Sequence, residues 1–514
     1  MLFLGAAILI VLQVMWLDEP WDDSHAGYNS GTFCAYSCRG FERHGYFDVG
    51  GIPSITHHAN GGDFYTRYVN HPPTLYFLLY PCYLIFGSQE ASIHGAMLIV
   101  LIFTLILMRL FLAPIYGPRL ASLATLIFAA LPMTVQFMRM ADPIIFCLPF
   151  LVPTACLWFR YLKAPSAKSL TAYFVMGFAA GMMDWHVYFV VVALWIDLLF
   201  CSERSLKRFF FVGFPFGVSL IVVLMWIALS SANTIGEIGE TLMMTKTAIT
   251  GGIETFGPSP IPETADVVPY WFSRVSSHFQ DLITIPVLIV SALGFLVLLA
   301  RRRLLRTEVR FTVVLLVAGA IPFAAAHEHA FVHEFWPIML SPAFAVLCAV
   351  LANQIYGWRN TSHVRRSLGY GAILALTGYC FYVGIQYHDG KRQEHPRAVM
   401  VELNERFEAD DLVFSASRFT SQRFYADFTV MSSVFHPVIY RRALGNVYSA
   451  RGEFKKLYIF WPKDAKHDFR WLQEGALSGE YVVNFGYREV FDGVESSILD
   501  MNFEKAFALV ADDF

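Results

Sequence analysis

The chain has 514 residues, 56% of them hydrophobic and only 15% charged, with a mean hydropathy of +0.48. A soluble globular domain carries about 25% charged residues, so an ordinary water-soluble enzyme and a disordered chain are both excluded. A net charge of −3 lacks the basic footprint that nucleic-acid binding needs.

The charge is unevenly spread. Residues 389–514 hold 20 acidic and 16 basic residues, about 29% of that segment, whereas residues 1–388 are about 11% charged. The first figure is near the soluble norm and the second suits a chain solvated by lipid. Two domains are expected: a polytopic α-helical membrane part over 1–388 and a soluble α/β domain over 389–514.

In chain order, apolar segments at 1–17, 92–112, 120–137, 142–162, 170–183, 186–200, 208–230, 281–300, 311–326, 335–356 and 368–387 predict about 11 transmembrane helices. The stretch 170–200 reads either as two passes or as one long kinked one. The shorter, proline-broken run Pro72–Gly87 reads as an interfacial or re-entrant helix. Placing the N-terminus inside puts 16 of the 22 basic residues of the membrane part at cytoplasmic ends, from Arg109 and Arg119 through Arg301–Arg303 to Arg365 and Arg366. This positive-inside bias sets the orientation, and an odd number of spans puts the tail outside. The expected location is therefore a multi-pass plasma membrane, with the C-terminal domain extracytoplasmic.

The first segment is expected to stay as a helix, because no Lys or Arg precedes its apolar run and no small-x-small site precedes Asp18. Cys34 and Cys38 sit in the first outer loop, where a bond is redox-permitted. Their i,i+4 helical spacing is poor disulfide geometry, so unpaired small residues are expected.

The acidic residues of the membrane part gather on the side opposite the bases: of 21, only Asp197, Glu203 and Glu308 lie on the cytoplasmic side. Outer loops of about 74 residues (18–91) and about 50 (231–280) are long enough to suggest function. The first opens Asp18-Glu19-Pro20-Trp21-Asp22-Asp23-Ser24-His25. Such carboxylates can serve as a general base or hold a divalent cation; Asp18 and Glu19 read more simply as a solvated loop end. Asp142, in MRMADPIIF, lies at the mouth of an apolar helix, where a carboxylate is costly and is a functional candidate by default. Arg139 could pair with it or grip a phosphate bidentately. Asp184, in GMMDWHVYF, presents a similar but weaker case. His327-Glu328-His329, followed by His333 and Glu334, offers imidazole and carboxylate ligands for a divalent ion, though not at the HExxH spacing. His71, ahead of two prolines, stands where a lipid phosphate would arrive. P-loop, GxGxxG and GxSxG motifs are absent, which removes support for an ATP-driven pump or a nucleophile-elbow hydrolase.

Taken in order, these segments resemble the GT-C fold glycosyltransferases of the protein O-mannosyltransferase and aminoarabinose-transferase superfamily. The segments are DDSHAGYNSG after the first span, RGFERHGYF, VNHPPTLYFLLYPCYLIFG, RMAD and HEHAFVHEFWPIML. The resemblance covers about residues 1–388. It implies sugar transfer from a polyprenyl-phosphate donor to a lipid, glycan or protein acceptor on the extracytoplasmic side. It implies a general base in the first loop, carried to Asp23 first and Asp22 second. The leaving phosphate then needs positive charge preorganised around it, for which His71, Arg139 and Arg274 are the candidates, with a divalent cation near Asp142 or the His327–Glu334 turn as a further one. The Trp271-Phe272-Ser273-Arg274 stretch either closes over the donor or anchors at the interface.

The tail alternates expected strands, DLVFSA, FTVMSSV, KLYIFWP and YVVNFGYREVF, with helical patterns, as a small α/β layer does. The rival reading of the whole is a transporter or flippase of lipid-linked glycans. It lacks the internal repeat and midplane charges that transporters show. A non-catalytic scaffold would leave the outer carboxylates and histidines without a task.

Overall fold

The structure is a computed structural model. It describes residues 2–21, 28–57, 65–67, 71–87, 90–200, 205–230, 267–300, 306–325, 333–356 and 363–391. In the tail it describes 404–405, 407–415, 426–427, 429–432, 456–462, 482–491 and 494–501.

The described residues are mostly helical, and every one of the eleven apolar segments lies on helix. Helix α1 spans Leu2–Met15. A π-helical stretch, Tyr28–Ala35, runs into α2, Tyr36–His44. Strands β1 (Ser54–His57) and β2 (Tyr65–Arg67) pair antiparallel. Pro72 and Pro73 pre-set the backbone of a 3-10 turn, Pro73–Leu75, that feeds α3, Tyr76–Phe86. At 11 residues α3 is about 16 Å long, shorter than the hydrocarbon core of a bilayer.

Next come α4 (Glu90–Tyr116), α5 (Pro118–Ala130) and α6 (Pro132–Phe137). Pro132 follows a Leu131 held extended, so the expected 120–137 span is broken into two helices. Helix α7 covers Pro143–Lys163, with the Asp142 side chain capping the Ile144 amide. Helices α8 (Ala167–Met183) and α9 (Tyr188–Phe200) meet at Asp184 and the turn Trp185–Val187. The 170–200 stretch is thus two helices. Helix α10 is Leu206–Ser230. Helices α11 (Val267–Leu282) and α12 (Ile285–Ala300) are bent 91° to one another, at a Thr284 held at φ 76. Helix α13 (Thr307–Ala325), the 3-10 turn Trp336–Leu340, α14 (Ser341–Tyr356) and α15 (His363–Lys391) complete the bundle.

By length and hydropathy alone, four of the described helices can cross a membrane: Glu90–Tyr116, Pro143–Lys163, Leu206–Ser230 and Trp336–Ile355. A fifth is added if the bent pair counts as one span. Helices approach closely where a glycine permits it: a Cβ on Gly294 would lie 2.1 Å from the Leu347 carbonyl oxygen, so α12 and α14 touch backbone to backbone.

Side-chain links mark the two ends of the bundle. At one, Arg310 donates two hydrogen bonds to Asp197, at 2.8 and 2.6 Å, and Tyr116 bonds to Glu308 and Thr312. At the other, His94 of α4 bonds the Leu17 carbonyl beyond α1. The tail joins this second end. Arg39 donates to the Ala426 carbonyl and to Asp427, each at 2.8 Å.

The four expected tail strands are all present, as β3 (Asp411–Ser415), β4 (Thr429–Ser432), β5 (Lys456–Pro462) and β6 (Val482–Phe491). A fifth, β7 (Val494–Met501), was not anticipated. The order is β4-β3-β5-β7-β6, with β3 parallel to β4 and β5, and β7 antiparallel to β5 and β6. The helical patterns expected at HPVIYRRALG lie outside the described residues. Cys34 and Cys38 are free, buried thiols as expected, and Cys34 donates to the Ala141 carbonyl.

Candidate active site at the loop end of the bundle

At the end that carries the tail, polar side chains converge from segments far apart in the chain. The centre is Asp184, whose side chain is 0% exposed. It sits on extended backbone between α8 and α9, so its carboxylate is free of any helix cap. His71 approaches from the turn ahead of α3, and its Nδ1 lies 2.7 Å from one carboxylate oxygen. His186 bonds through its own Nδ1 to the other oxygen. The same ring packs edge-on against Trp336, with centroids 4.9 Å apart.

Asp142 lies within electrostatic reach of all three. Burial pushes the Asp142 carboxyl up, opposed by the nearby His71 charge and the Ile144 amide. Burial also raises the Asp184 carboxyl, but His71 and His186 outweigh it and hold that group well below the usual carboxylate range. For His71 burial favours the neutral ring, yet the charge and hydrogen bond of Asp184, helped by Asp142, leave its pKa raised.

The segment that follows α1 docks on this centre. The Ser30 hydroxyl accepts from the Ala141 amide at 2.9 Å, and Cys34 donates to the same residue's carbonyl. Both hold the residue next to Asp142. Trp21 is buried, with its ring 4.5 Å from that of His94. The acidic pair Asp22 and Asp23, the expected base, lies outside the described residues, as do His327 and His329.

Arg139 does not pair with Asp142. It donates to Glu19, which also takes His388 Nε2 at 3.0 Å, and its guanidinium stands 5.6 Å over the Trp16 ring. Arg139 is 6% exposed and Glu19 11%. Glu19 is therefore no solvated loop end but the anion of a buried cluster that ties the end of α1 to α15. Arg274 and Glu334 share another neighbour: Tyr387 donates to Glu334 and feels the charges of Arg274 and Asp281. Arg274 itself is exposed, and so is Phe272 beside it.

A divalent cation finds no ligand set among the described residues. No group of three or more His, Cys, Asp or Glu side chains is arranged to hold one. The Asp184 oxygens and the Nδ1 atoms of His71 and His186 are occupied by each other.

The missed feature of this end is His186 and its bond to Asp184, which the sequence had already marked as a candidate. Both residues are adjacent in sequence to a Trp and two apolar runs, which read as a helix break. Their partner His71 is 113 residues away from Asp184, a separation that no local pattern encodes.

Residues 70–228 match the family described as dolichyl-phosphate-mannose-protein mannosyltransferase. That segment holds His71, Arg139, Asp142, Asp184 and His186. No curated protein matches the chain by sequence. Among solved structures, ArnT from Cupriavidus metallidurans bound to undecaprenyl phosphate superimposes with a TM-score of 0.61 at 12% identity, covering 97% of each chain. The archaeal oligosaccharyltransferase AglB from Archaeoglobus fulgidus, in complex with an inhibitory peptide and a dolichol-phosphate, gives 0.60 at 11% identity, covering 99% of this chain and 77% of that one. The Archaeoglobus fulgidus oligosaccharyltransferase complex with Zn and sulfate gives 0.57 at 13%, covering 98% and 76%. Likeness across nearly the whole of this chain, with a family match over the segment that builds the polar centre, identifies it as a protein of the GT-C fold.

Proposed function

We propose that the protein is a membrane glycosyltransferase. It moves a sugar from a polyprenyl-phosphate-linked donor to a lipid, glycan or protein acceptor at the extracytoplasmic face of the plasma membrane, with residues 389–514 forming a soluble domain on that face. One observation carries this reading. An apolar helix bundle of GT-C fold gathers Asp142, Asp184, His71 and His186 at a single end, beside a helix too short to cross a bilayer. A donor with a prenyl tail needs that arrangement: the tail stays in lipid while the phosphate and sugar enter a polar centre at the mouth. A transporter would instead place its ionisable groups near the midplane.

In the proposed reaction the acceptor hydroxyl oxygen attacks the anomeric carbon of the donor sugar. Asp23, with Asp22 as the second candidate, takes the hydroxyl proton. The bond from the anomeric carbon to the phosphate oxygen breaks, and the polyprenyl phosphate leaves with the electron pair. His71, which is 30% exposed, presents positive charge to that phosphate, and Arg274 on α11 supplies a second cation from the exposed face. Preorganised charge of this kind lowers the barrier because it is already in place when the leaving group's charge develops.

The test uses purified protein with a panel of labelled undecaprenyl- and dolichyl-phosphate sugars and a membrane extract as acceptor source. Wild type should release polyprenyl phosphate, and Asp23→Asn should lose about 100-fold or more of that turnover, in line with removal of a general base. If Asp23→Asn and Asp22→Asn both keep full turnover, the assigned base is wrong. If wild type consumes no donor in the panel, the enzyme class is wrong.

A further inference from the structure

Helices α4 and α5 meet in a tight turn at the end of the bundle opposite Asp184, with only Gly117, held at φ 85, between Tyr116 and Pro118. Arg109 stands about two turns before that end, in the apolar run LILMRLFL. Its Cα is therefore about 10 Å inside the helix end, at 1.5 Å per residue. The half-buried side chain donates from Nε to the Ser122 hydroxyl of α5 at 2.6 Å. Ser122 in turn donates to the Pro118 carbonyl at 2.8 Å, and its Cα lies about 6 Å inside the start of α5. The guanidinium thus climbs part of the way towards the end of the hairpin and is fixed there, about one turn short of it.

A cation held at that depth, beside lipid, needs an anion, because a charge that faces hydrocarbon is costly. The chain supplies none. Ser122 is the one hydrogen-bond partner of Arg109 among the described residues, and none of their carboxylates reaches it. Arg310, at the same end of the bundle, shows the contrast: Asp197 takes its guanidinium with two hydrogen bonds.

The surface around Arg109 indicates the source of the missing anion. Ile99, Ile102, Phe103, Ile106 and Leu110 are 37–58% exposed and recur at the three- and four-residue spacing that places them on one face of α4. This uncharged apolar stripe runs from beside Arg109 towards the middle of the helix for about 16 Å. On α5, Arg119 is exposed and stands one turn before Ser122, so its charge lies on the flank that holds Arg109. An apolar stripe with unpaired positive charge at its outer end complements an amphiphile whose head is an anion.

We infer that the α4–α5 hairpin binds an anionic phospholipid of the leaflet at the end opposite Asp184, with its phosphate on Arg109 beside Arg119 and an acyl chain along the Ile99–Leu110 face of α4. A phosphodiester is only an acceptor, and it can take the Nη donors of the guanidinium side by side. A phosphatidylglycerol head brings no cation of its own, whereas the ammonium of phosphatidylcholine would be repelled by Arg119. The inference needs the membrane reading of the bundle and is independent of sugar transfer.

The experiment follows the Tm of the full-length protein in neutral detergent, titrated with short-chain phosphatidylglycerol, short-chain phosphatidylcholine or inorganic phosphate. Wild type should show a saturable rise with phosphatidylglycerol, a much smaller one with phosphatidylcholine and none with phosphate. Arg109→Gln should weaken phosphatidylglycerol binding about tenfold or more, the scale of a hydrogen bond to a charged group. Arg109→Lys keeps the charge without the planar fork and should recover part of that loss. Lys168→Gln removes an equal charge from an exposed position at the start of α8, at the same end, and should bind as wild type does.

Equal responses to the two lipids would overturn the inference in favour of general lipid contact. A response to inorganic phosphate alone would overturn it in favour of a free-anion site, and an equal loss in Lys168→Gln would reduce it to diffuse surface charge. Should Arg109→Gln fail to fold, the double variant Arg119→Gln/Ser122→Ala decides. It removes the second cation and the tether on Nε, so an unchanged affinity for phosphatidylglycerol overturns the inference.

Discussion

Glu19→Gln leaves the Arg139 guanidinium charged and without its counter-ion, in a site where the arginine is 6% exposed and stacked over Trp16. Removing one partner of a buried ion pair costs about 3–5 kcal/mol, because the surviving charge keeps its desolvation penalty. Arg139→Met attacks the same pair from the other side, but Glu19 retains His388 at 3.0 Å. The double variant Glu19→Gln/Arg139→Met removes both charges, and its cost should fall short of the sum of the singles by at least about 2 kcal/mol, as expected for residues in direct contact. The assay is reversible unfolding of the purified protein in mixed micelles, run as a double-mutant cycle, with donor KM measured on the same samples. A coupling below about 0.5 kcal/mol, or an Arg139→Met variant of wild-type stability whose donor KM rises sharply, would refute the pairing argument. It would return Arg139 to the role of a phosphate ligand.

Other consequences are equally direct. Burial raises the Glu19 carboxyl, but His388 and Arg139 outweigh it and bring the pKa down to about 2 from 4.5. The folded-state value is depressed, so this contribution to stability is present above pH 4.5 and is lost as pH falls from 4.5 towards 2; Glu19→Gln should flatten the acid limb of an unfolding profile over that window. Asp197→Ala leaves Arg310 without its bidentate partner at the opposite end of the bundle. It should cost about 3 kcal/mol, read as a lower Tm, with donor binding unchanged. Gly294→Ala puts a methyl 2.1 Å from the Leu347 carbonyl, which must drive α12 and α14 apart at a cost of about 1–3 kcal/mol; wild-type stability would disprove that contact. Arg39→Ala cuts the bonds to Ala426 and Asp427, and since Asp427 is 70% exposed the loss should be about 1 kcal/mol or less. Faster hydrogen exchange in β3 and β4 with an unchanged bundle Tm is the expected signature.

The helices were legible because lipid and protein interior impose the same local demand, a run of apolar residues that satisfies its own backbone. The breaks were legible where a residue enforces them, as at Pro132 and at Pro72–Pro73. Strand β7 was missed because VESSILDM mixes Ser, Glu and Asp with few apolar residues. It pairs on both sides, with β5 and β6, so its place comes from ladder partners more than from its own pattern. Asp142 was legible as a candidate by cost alone: a carboxylate at the edge of an apolar run demands a reason. Glu19 was misread as solvated, since its counter-ions Arg139 and His388 stand 120 and 369 residues away.

Composition and hydropathy by themselves determined that this chain is a helical membrane protein with a charged tail, and the spacing of its motifs pointed to the GT-C plan. Those properties are sums over neighbours in sequence, which is why they survive without coordinates. Only the tertiary structure decided which charges meet. It gave Arg139 to Glu19 rather than to Asp142, and it brought His71 to Asp184 across 113 residues. It also left a carboxylate fully buried between two imidazoles. The energy of a charge depends on the groups within a few ångströms of it and on its distance from water, and in a folded bundle those groups are supplied by other helices.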